Sequence, residues 1–312
     1  MKINVQTIRE YLFSNRDKIP TYVKVIEATK CKETGKKLIT FEAFFPRYIL
    51  AEQNTHRVFS RNTGSSRAIP VLRMLVSLMK LPVIPLFWGL NKNGMQSAET
   101  MPTWKAFIAH SLWRTHAWFT YFIVFLLAKL GLHKQWTNRL LEPHTYIRQV
   151  FTSSDYENYF HLRLHDDAQP EIIVLALLAK EQEELLDRTN GYRKVSNKDT
   201  KVNAFNWHLP YITEEERTMY KRFPFFLAKL SAARCARTSY LTQEGMTPNP
   251  EREIGTFKKL AESVPIHASP LEHQAFPAVN AETRSRNFEG FIQYRAYYEE
   301  KEFGAPIVIP KV

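Results

Sequence analysis

Residues 55–67 read Thr-His-Arg-Val-Phe-Ser-Arg-Asn-Thr-Gly-Ser-Ser-Arg, a run with three arginines, a histidine, an asparagine and several hydroxyls. Charged groups are almost never fully buried without partners, so such a run is a poor core element. It is well suited to holding an anion. Arg57, Arg61 and Arg67 offer fork-shaped donors, and Ser60, Ser65 and Ser66 offer short hydroxyl donors. Gly64 would let the backbone come close to a ligand. Composition alone is equally compatible with a solvated basic turn.

The spacing His56-Arg57-x-x-Ser60-x-Asn62-x-x-Ser65-x-Arg67 resembles the R-H-R-x-x-S-x-N-x-x-S-x-R signature of flavin-dependent thymidylate synthases. The chain departs from it with Thr55 in place of an arginine and Thr63 in place of the usual glutamate. The resemblance implies that Thr55, His56, Arg57 and Thr63 meet the flavin. It also implies that Glu52, Ser65, Ser66 and Arg67 hold the nucleotide substrate.

A second stretch, Asn-Tyr-Phe-His-Leu-Arg-Leu-His-Asp-Asp-Ala-Gln-Pro-Glu at 158–171, resembles the family's N-x-x-N-L-R-x-x-x-H-A-Q-x-E, with His161 for an asparagine and Asp167 for a histidine. On that alignment Asn158 meets the flavin and Arg163 polarises the pyrimidine ring. A cation beside the ring's N3 and carbonyl oxygen stabilises negative charge there and pushes electron density toward C5. Arg139-Leu-Leu-Glu-Pro143 is similar to the family's A-R-x-x-L-P, whose arginine binds the substrate phosphate.

Two further blocks, Ala-Ala-Arg-Cys-Ala-Arg-Thr-Ser-Tyr at 232–240 and His-Ala-Ser-Pro-Leu-Glu-His at 267–273, resemble the family's opening A-A-R-V-S-Y/F and H-x-T/S-P-F-E-H. In the usual order they precede the arginine-rich signature; here they follow it. A circular permutation explains this, because folds tolerate one when their termini lie close together at the surface. His267 and Ser269 then join the flavin site, and His267 keeps flavin and folate positioned. Permutation requires them to approach His56, Arg57 and Arg67, and requires the strand before Pro46 to lie beside the segment after His273.

The resemblance implies an α/β (α+β) fold with a mixed sheet, a large helical portion and permuted connectivity, in one catalytic domain spanning 1–312. Residues 1–67 hold strands and the signature, 68–146 a helical portion, 147–200 the substrate and flavin helix, and 201–312 the permuted block and tail. It further implies a homotetramer with shared active sites and FAD in each. NADPH and methylenetetrahydrofolate are its co-substrates, and dUMP is converted to dTMP without a side-chain nucleophile. One rival is a pyrimidine deoxynucleotide hydroxymethylase of the same family. Another, of a different class, is a non-catalytic basic nucleic-acid-binding protein, although nucleic acid is not the expected partner.

Other constellations are decoys. His161 and His165 have helical metal-ligand spacing, but no His-Glu-x-x-His accompanies them, and no metal is expected. Glu52, His56 and Ser60 fall at i, i+4 and i+8, a collinear stripe unsuited to a hydrolase triad.

The whole chain sets the bounds within which these residues act. At 312 residues, 44% hydrophobic and 13% aromatic, it is long and apolar enough for a globular core. A net charge of +12 suggests a polyanionic partner such as a nucleotide or a phosphate-bearing cofactor. Cys31 and Cys235 are too few for a disulfide scaffold, so a reducing cytoplasm is expected. The N-terminus shows no secretory signal. The most apolar segment, 118–130, is shorter than the roughly 20 residues a membrane span needs. It is expected to be a buried helix, within the chain or at a subunit interface, in a soluble protein with no membrane partner.

Residues 21–27 and 38–45 alternate as strands around a turn at 32–37. Pro46 opens a predicted helix through about Ser60. Predicted helices then cover 68 to about 146, with a loop at 88–95. Further helices are predicted at 155–189, stopping at Asn190-Gly191, and at 211–235, followed by a loop at 242–252. No Gly-x-Gly-x-x-Gly is present, so a Rossmann-type site is unsupported.

Overall fold

Two ten-residue strands, β1 (Tyr22–Cys31) and β2 (Lys37–Pro46), pair antiparallel around a turn in which Gly35 takes φ of +71°. That left-handed conformation suits glycine, which has no Cβ to clash. The computed structural model describes residues 2–93, 97, 99–238 and 249–302. The hairpin is the centre of a five-stranded sheet, completed by β3 (Ser60–Thr63), β4 (Tyr146–Ser153) and β5 (Arg193–Val195), in the order β3-β4-β2-β1-β5. Only the β1–β5 pair is parallel. The fold class is thus mixed α/β, as expected.

Strand β2 is buried along almost its whole length because both faces of the sheet are covered. Its Ile39, Phe41, Ala43 and Phe45 face one core, shared with helices α1 (Val5–Ser14) and α7 (Pro170–Thr189). Residues 172–179 of α7 are all buried, which explains their unbroken apolar sequence. The helix stops at Asn190, φ 50°, where the Asn-Gly pair predicted it.

The opposite face of the sheet carries the C-terminal third. There α8 (Glu214–Met219), α9 (Pro224–Arg237) and α10 (Pro250–Ala261) pack around Trp207 with α11 (Tyr294–Glu302). Strand β6 (Ala275–Pro277) pairs with β9 (Phe291–Gln293), and β7 (Arg284–Ser285) pairs with β8 (Phe288–Glu289).

A buried string of polar contacts joins the layers. Thr29 Oγ1 lies 3.0 Å from His208 Nδ1, and His208 Nε2 lies 2.7 Å from Thr40 Oγ1. Thr40 Oγ1 is 2.6 Å from Thr152 Oγ1, which is 2.8 Å from His273 Nδ1. Buried polar atoms need partners, and each of these hydroxyls and rings supplies one for its neighbour. Burial holds the His273 imidazole down at about 3, and His208 well below its ordinary value. Both rings are therefore neutral; His208 bridges Thr29 and Thr40, and His273 ends the string, its Nε2 without a partner among the described residues.

Three predicted boundaries give way. The helix expected from Pro46 to about Ser60 is a 3-10 turn at Arg47–Ile49 followed by a single short helix, α2 (Leu50–Asn54). Beyond it Ser60–Thr63 become a strand, because β4, almost ninety residues later, supplies the ladder. Helix 155–189 is divided by Gln169-Pro170 into α6 (Glu157–Arg163) and α7, proline being tolerated at a helix start but not inside. The 211–235 stretch is likewise divided, with Pro224 opening α9.

The helical portion holds α3 (Val71–Lys80), α4 (Thr103–Lys129) and α5 (Lys134–Leu141) around a small core of Met74, Leu78, Ala117, Val124 and Leu141. The predicted loop at 88–95 lies in a longer irregular connection, and its residues 94 and 95 are outside the described residues. The apolar segment 118–130 belongs mostly to α4, and within the chain it is buried on one side only. Phe119 is 62% exposed and Phe122 54%. Among the described residues no helix is long and apolar enough to cross a membrane.

Candidate active site

Three sequence-distant segments meet at the arginine-rich run: the end of α6, the 3-10 turn at Ser269–Glu272, and the strands around Gln293. Helix α6 ends on Arg163, whose Nε donates to His56 Nε2 at 2.8 Å. Its Nη2 donates to Glu52 O at 3.0 Å and Thr55 Oγ1 at 2.8 Å. Nη1 makes no hydrogen bond among the described residues.

His56 is 4% exposed, stacked on Phe59 and met edge-on by Tyr159. Burial, with Arg163 and Arg61 adding to it, pushes its imidazole down to about 4. The ring is therefore neutral, with Nε2 as acceptor, and fixes the Arg163 guanidinium. Thr55, where the resembled signature has an arginine, is here an uncharged acceptor for Arg163. A second cation at that position would repel Arg163, so the departure is physically coherent.

Strand β3 turns Ser60 and Asn62 inward and Arg61 outward, as a two-residue period requires. Ser60 Oγ receives Asn287 Nδ2 at 3.0 Å and Gln293 Nε2 at 3.3 Å. Gln293 also donates to Asn287 Oδ1 (2.7 Å) and Glu272 O (3.2 Å). Glu272 pairs with Arg295 and lies in the field of Arg61, while burial raises its carboxyl. These contacts bring the 269–273 segment against β3. The segment after His273 also meets the hairpin: Ala275 shares a small core with Leu38 of β2, and it bridges His208. The segment after His273 thus lies beside β2 and the Ser269–Glu272 turn lies against β3, while no side-chain hydrogen bond joins His267 or Ser269 to His56, Arg57 or Arg67 among the described residues.

The sequence-selected residues divide into two groups. Engaged within the protein are His56 and Thr55 through Arg163, and Thr63, whose Oγ1 accepts from Gln149 Nε2 at 2.8 Å. Arg139 is shared: it reaches Glu142 at 3.4 Å, a carboxylate that Arg47 also meets at 3.5 Å. Exposed and without side-chain hydrogen bonds among the described residues are Arg57, Arg67, Asn158, His267 and Ser269. Among the described residues Glu52 Oε2 and Asn62 Oδ1 are buried without a partner, which marks unspent polar capacity on both sides of His56. Ser65 is half-buried and Ser66 buried in the turn after β3.

That turn lines a second feature, a solvent-open cleft bounded by Arg47, Gly64, Lys80, Tyr146 and Arg148. Tyr22, Phe44 and Tyr146 stack in a row along the sheet there, with centroids 5.7 and 5.0 Å apart. Gly64 is not a forced glycine: a Cβ would meet its neighbours at ordinary contact distances of 3.5 Å and beyond. Its N–H donates to Arg148 O, so its role is a strand end.

Two constellations resolve differently from their sequence appearance. Glu52, His56 and Ser60 do not share a helix, since α2 ends at Asn54. His165 lies past the end of α6, 3.5 Å from Asp167, and no longer in helical register with His161. In the 232–240 block Arg234 is a buried staple, bound to Glu253, Glu216 and Tyr211 O, and residues 239–240 lie outside the described residues. Most of the 242–252 loop, residues 242–248, also lies outside them. Asn287, Gln293 and Arg295 carry no motif and were not selected from the sequence; only the fold brings them to Ser60 and Glu272.

Neither a family model nor a curated protein matches the chain. Solved structures with partial likeness include a UMP/dUMP methylase PolB from Streptomyces cacaoi bound with 5-Br UMP. It is 14% identical, with a TM-score of 0.39 over 54% of this chain and 89% of that one. The same methylase bound with 5-Br dUMP is 16% identical, with a TM-score of 0.37 over 60% of this chain and 80% of that one.

Proposed function

We propose that this protein transfers a one-carbon unit from methylenetetrahydrofolate to C5 of dUMP, giving dTMP, with FAD as cofactor and NADPH as reductant. The observation that carries the reading is the Arg163–His56 hydrogen bond at 2.8 Å. It joins the two segments whose spacing resembles the flavin-dependent thymidylate synthase signature, at the two residues with the most specific roles.

The residue set fits a phosphate-bearing group. Arg57 and Arg67 are exposed cations with all their donors uncommitted among the described residues, and Asn158, His267 and Ser269 are uncommitted polar groups on neighbouring segments. Among the described residues buried Asn62 Oδ1 and Glu52 Oε2 lack partners; as acceptors they suit a ring N–H or a hydroxyl of a ligand and not its phosphate. Arg57, Asn158, His267 and Ser269 would hold the flavin, with Thr55, His56 and Thr63 supporting them from behind. When bound, FAD supplies the two-electron chemistry that carries reducing equivalents from NADPH to the transferred carbon.

This chain's own part is electrostatic. Neutral His56 and the carbonyl of Glu52 hold the Arg163 guanidinium in one orientation and leave Nη1 uncommitted. Preset donors cost no reorganisation when charge develops, so Arg163 stabilises negative charge on the pyrimidine and activates C5. Arg67 and Arg139 bind the phosphate, with Ser65 and Ser66 orienting the nucleotide. Active sites shared within a homotetramer belong to the same proposal.

The test is the absorbance spectrum of the purified protein, followed by titration with FAD. A yellow protein, or saturable FAD uptake, supports the reading. A colourless chain that takes up no FAD, and whose DNA affinity falls steeply with salt, would instead be a nucleic-acid-binding protein.

A further inference from the structure

Helix α4 places Trp104, Ile108, Leu112, Phe119, Phe122 and Leu126 on one outward stripe. At 100° per residue they fall within an arc of about 80° over a rise of about 33 Å. Directly opposite lie Ala117, Thr120 and Val124, buried against α3 and α5. Every member of the stripe is more than 40% exposed, and Phe107 and Trp118 widen it. A helix apolar on all sides is normally enclosed; this one is enclosed on one side only. Contiguous exposed apolar surface of this kind marks an interaction face.

Charge decides what covers it. Residues 100–141 contain Lys105, Arg114, Lys129, Lys134 and Arg139 and no aspartate or glutamate. A second copy laid on the same face would bring two identical sets of cations together. An anionic surface would meet them with opposite charge. Beside the stripe, a groove between α3 and α4 is lined by Lys80, Arg114, Trp118 and Tyr121, two cations among amphipathic rings. Aromatic side chains with flanking lysine and arginine suit the boundary between headgroups and acyl chains.

We propose that the outer face of α4 docks on an anionic lipid bilayer, the helix lying in the plane of the surface and not across it. This replaces the expectation of no membrane partner and is independent of the active site, none of whose stated contacts involves the stripe.

The test is co-sedimentation of the full chain with vesicles. Binding is expected to phosphatidylcholine–phosphatidylglycerol vesicles and not to phosphatidylcholine alone, falling at least about tenfold between about 0.1 and 0.5 M NaCl. The double variant Phe119→Glu/Phe122→Glu, and separately Lys105→Glu/Lys129→Glu, should each reduce binding about tenfold with an unchanged circular dichroism spectrum. Absence of binding to either vesicle, or equal binding to both, would overturn the proposal. So would an oligomer seen by light scattering that the phenylalanine variant converts to monomer while the wild type ignores vesicles; the face would then be a self-association surface.

Discussion

Arg163 and His56 are 107 positions apart in sequence, yet the guanidinium Nε and the imidazole Nε2 stand 2.8 Å apart. The bond requires a neutral imidazole, and burial with two neighbouring arginines secures that by holding the ring at about 4. Arg163→Ala should abolish turnover while leaving flavin affinity largely intact, because the role proposed for it is charge stabilisation in the reaction. Single-turnover kinetics and FAD titration of the variant check this. Wild-type turnover in Arg163→Ala would remove the residue from the site.

Arg67→Ala should act on binding instead. A lost charge-assisted contact costs about 1.5–3 kcal/mol, so the dUMP dissociation constant should rise by roughly ten- to a hundredfold or more. Calorimetric titration with dUMP measures it, and an unchanged constant would assign Arg67 to solvent.

Gln293 holds Ser60, Asn287 and Glu272 together through one amide group. Gln293→Ala leaves those buried groups short of partners and should destabilise the protein by about 1–3 kcal/mol. Denaturant unfolding gives the value. An unaffected midpoint would mean that water replaces the amide without loss.

Acid should weaken the fold through its buried histidines. Burial depresses His56 and His144 to about 4 and His273 to about 3. Between the ordinary histidine value near 6.5 and those depressed values the unfolded chain binds protons that the native protein refuses. Stability is therefore complete above about 6.5 and is lost as pH falls toward 4, at about 1.4 kcal/mol per pH unit for a fully buried ring such as His273. Glu27, Glu183 and Glu272, raised by burial, act in the opposite sense, so the readout is a comparison. Melting temperatures of His273→Gln should fall less steeply from pH 7 to pH 5 than those of the native chain; parallel curves would contradict this.

Local signals in the sequence located much of the framework. The β1–β2 hairpin follows from alternation around a glycine turn, and the end of α7 follows from Asn190-Gly191. Strand β3 was hidden because its four residues look like loop and become a strand only through β4. The exposed side of α4 was hidden for a related reason: an apolar run does not state which of its faces the rest of the chain covers. At the candidate site, spacing selected His56, Arg163 and the 267–273 block, and the fold joins the first two by a hydrogen bond. Asn287 and Gln293 were not, since a buried amide bridge has no spacing rule and depends on two strand pairings.

The proposed reaction adds a carbon to C5 of dUMP. Its most direct measurement is mass spectrometry of the nucleotide after incubating the protein with dUMP, methylenetetrahydrofolate, FAD and NADPH. A product heavier than dUMP by one CH2, a methyl in place of the C5 hydrogen, absent with Arg163→Ala, is the expected result. A hydroxymethyl adduct would keep the site and change the outcome of the transfer to that of a hydroxymethylase. Unmodified dUMP from a protein shown to bind both FAD and dUMP would rule that reaction out.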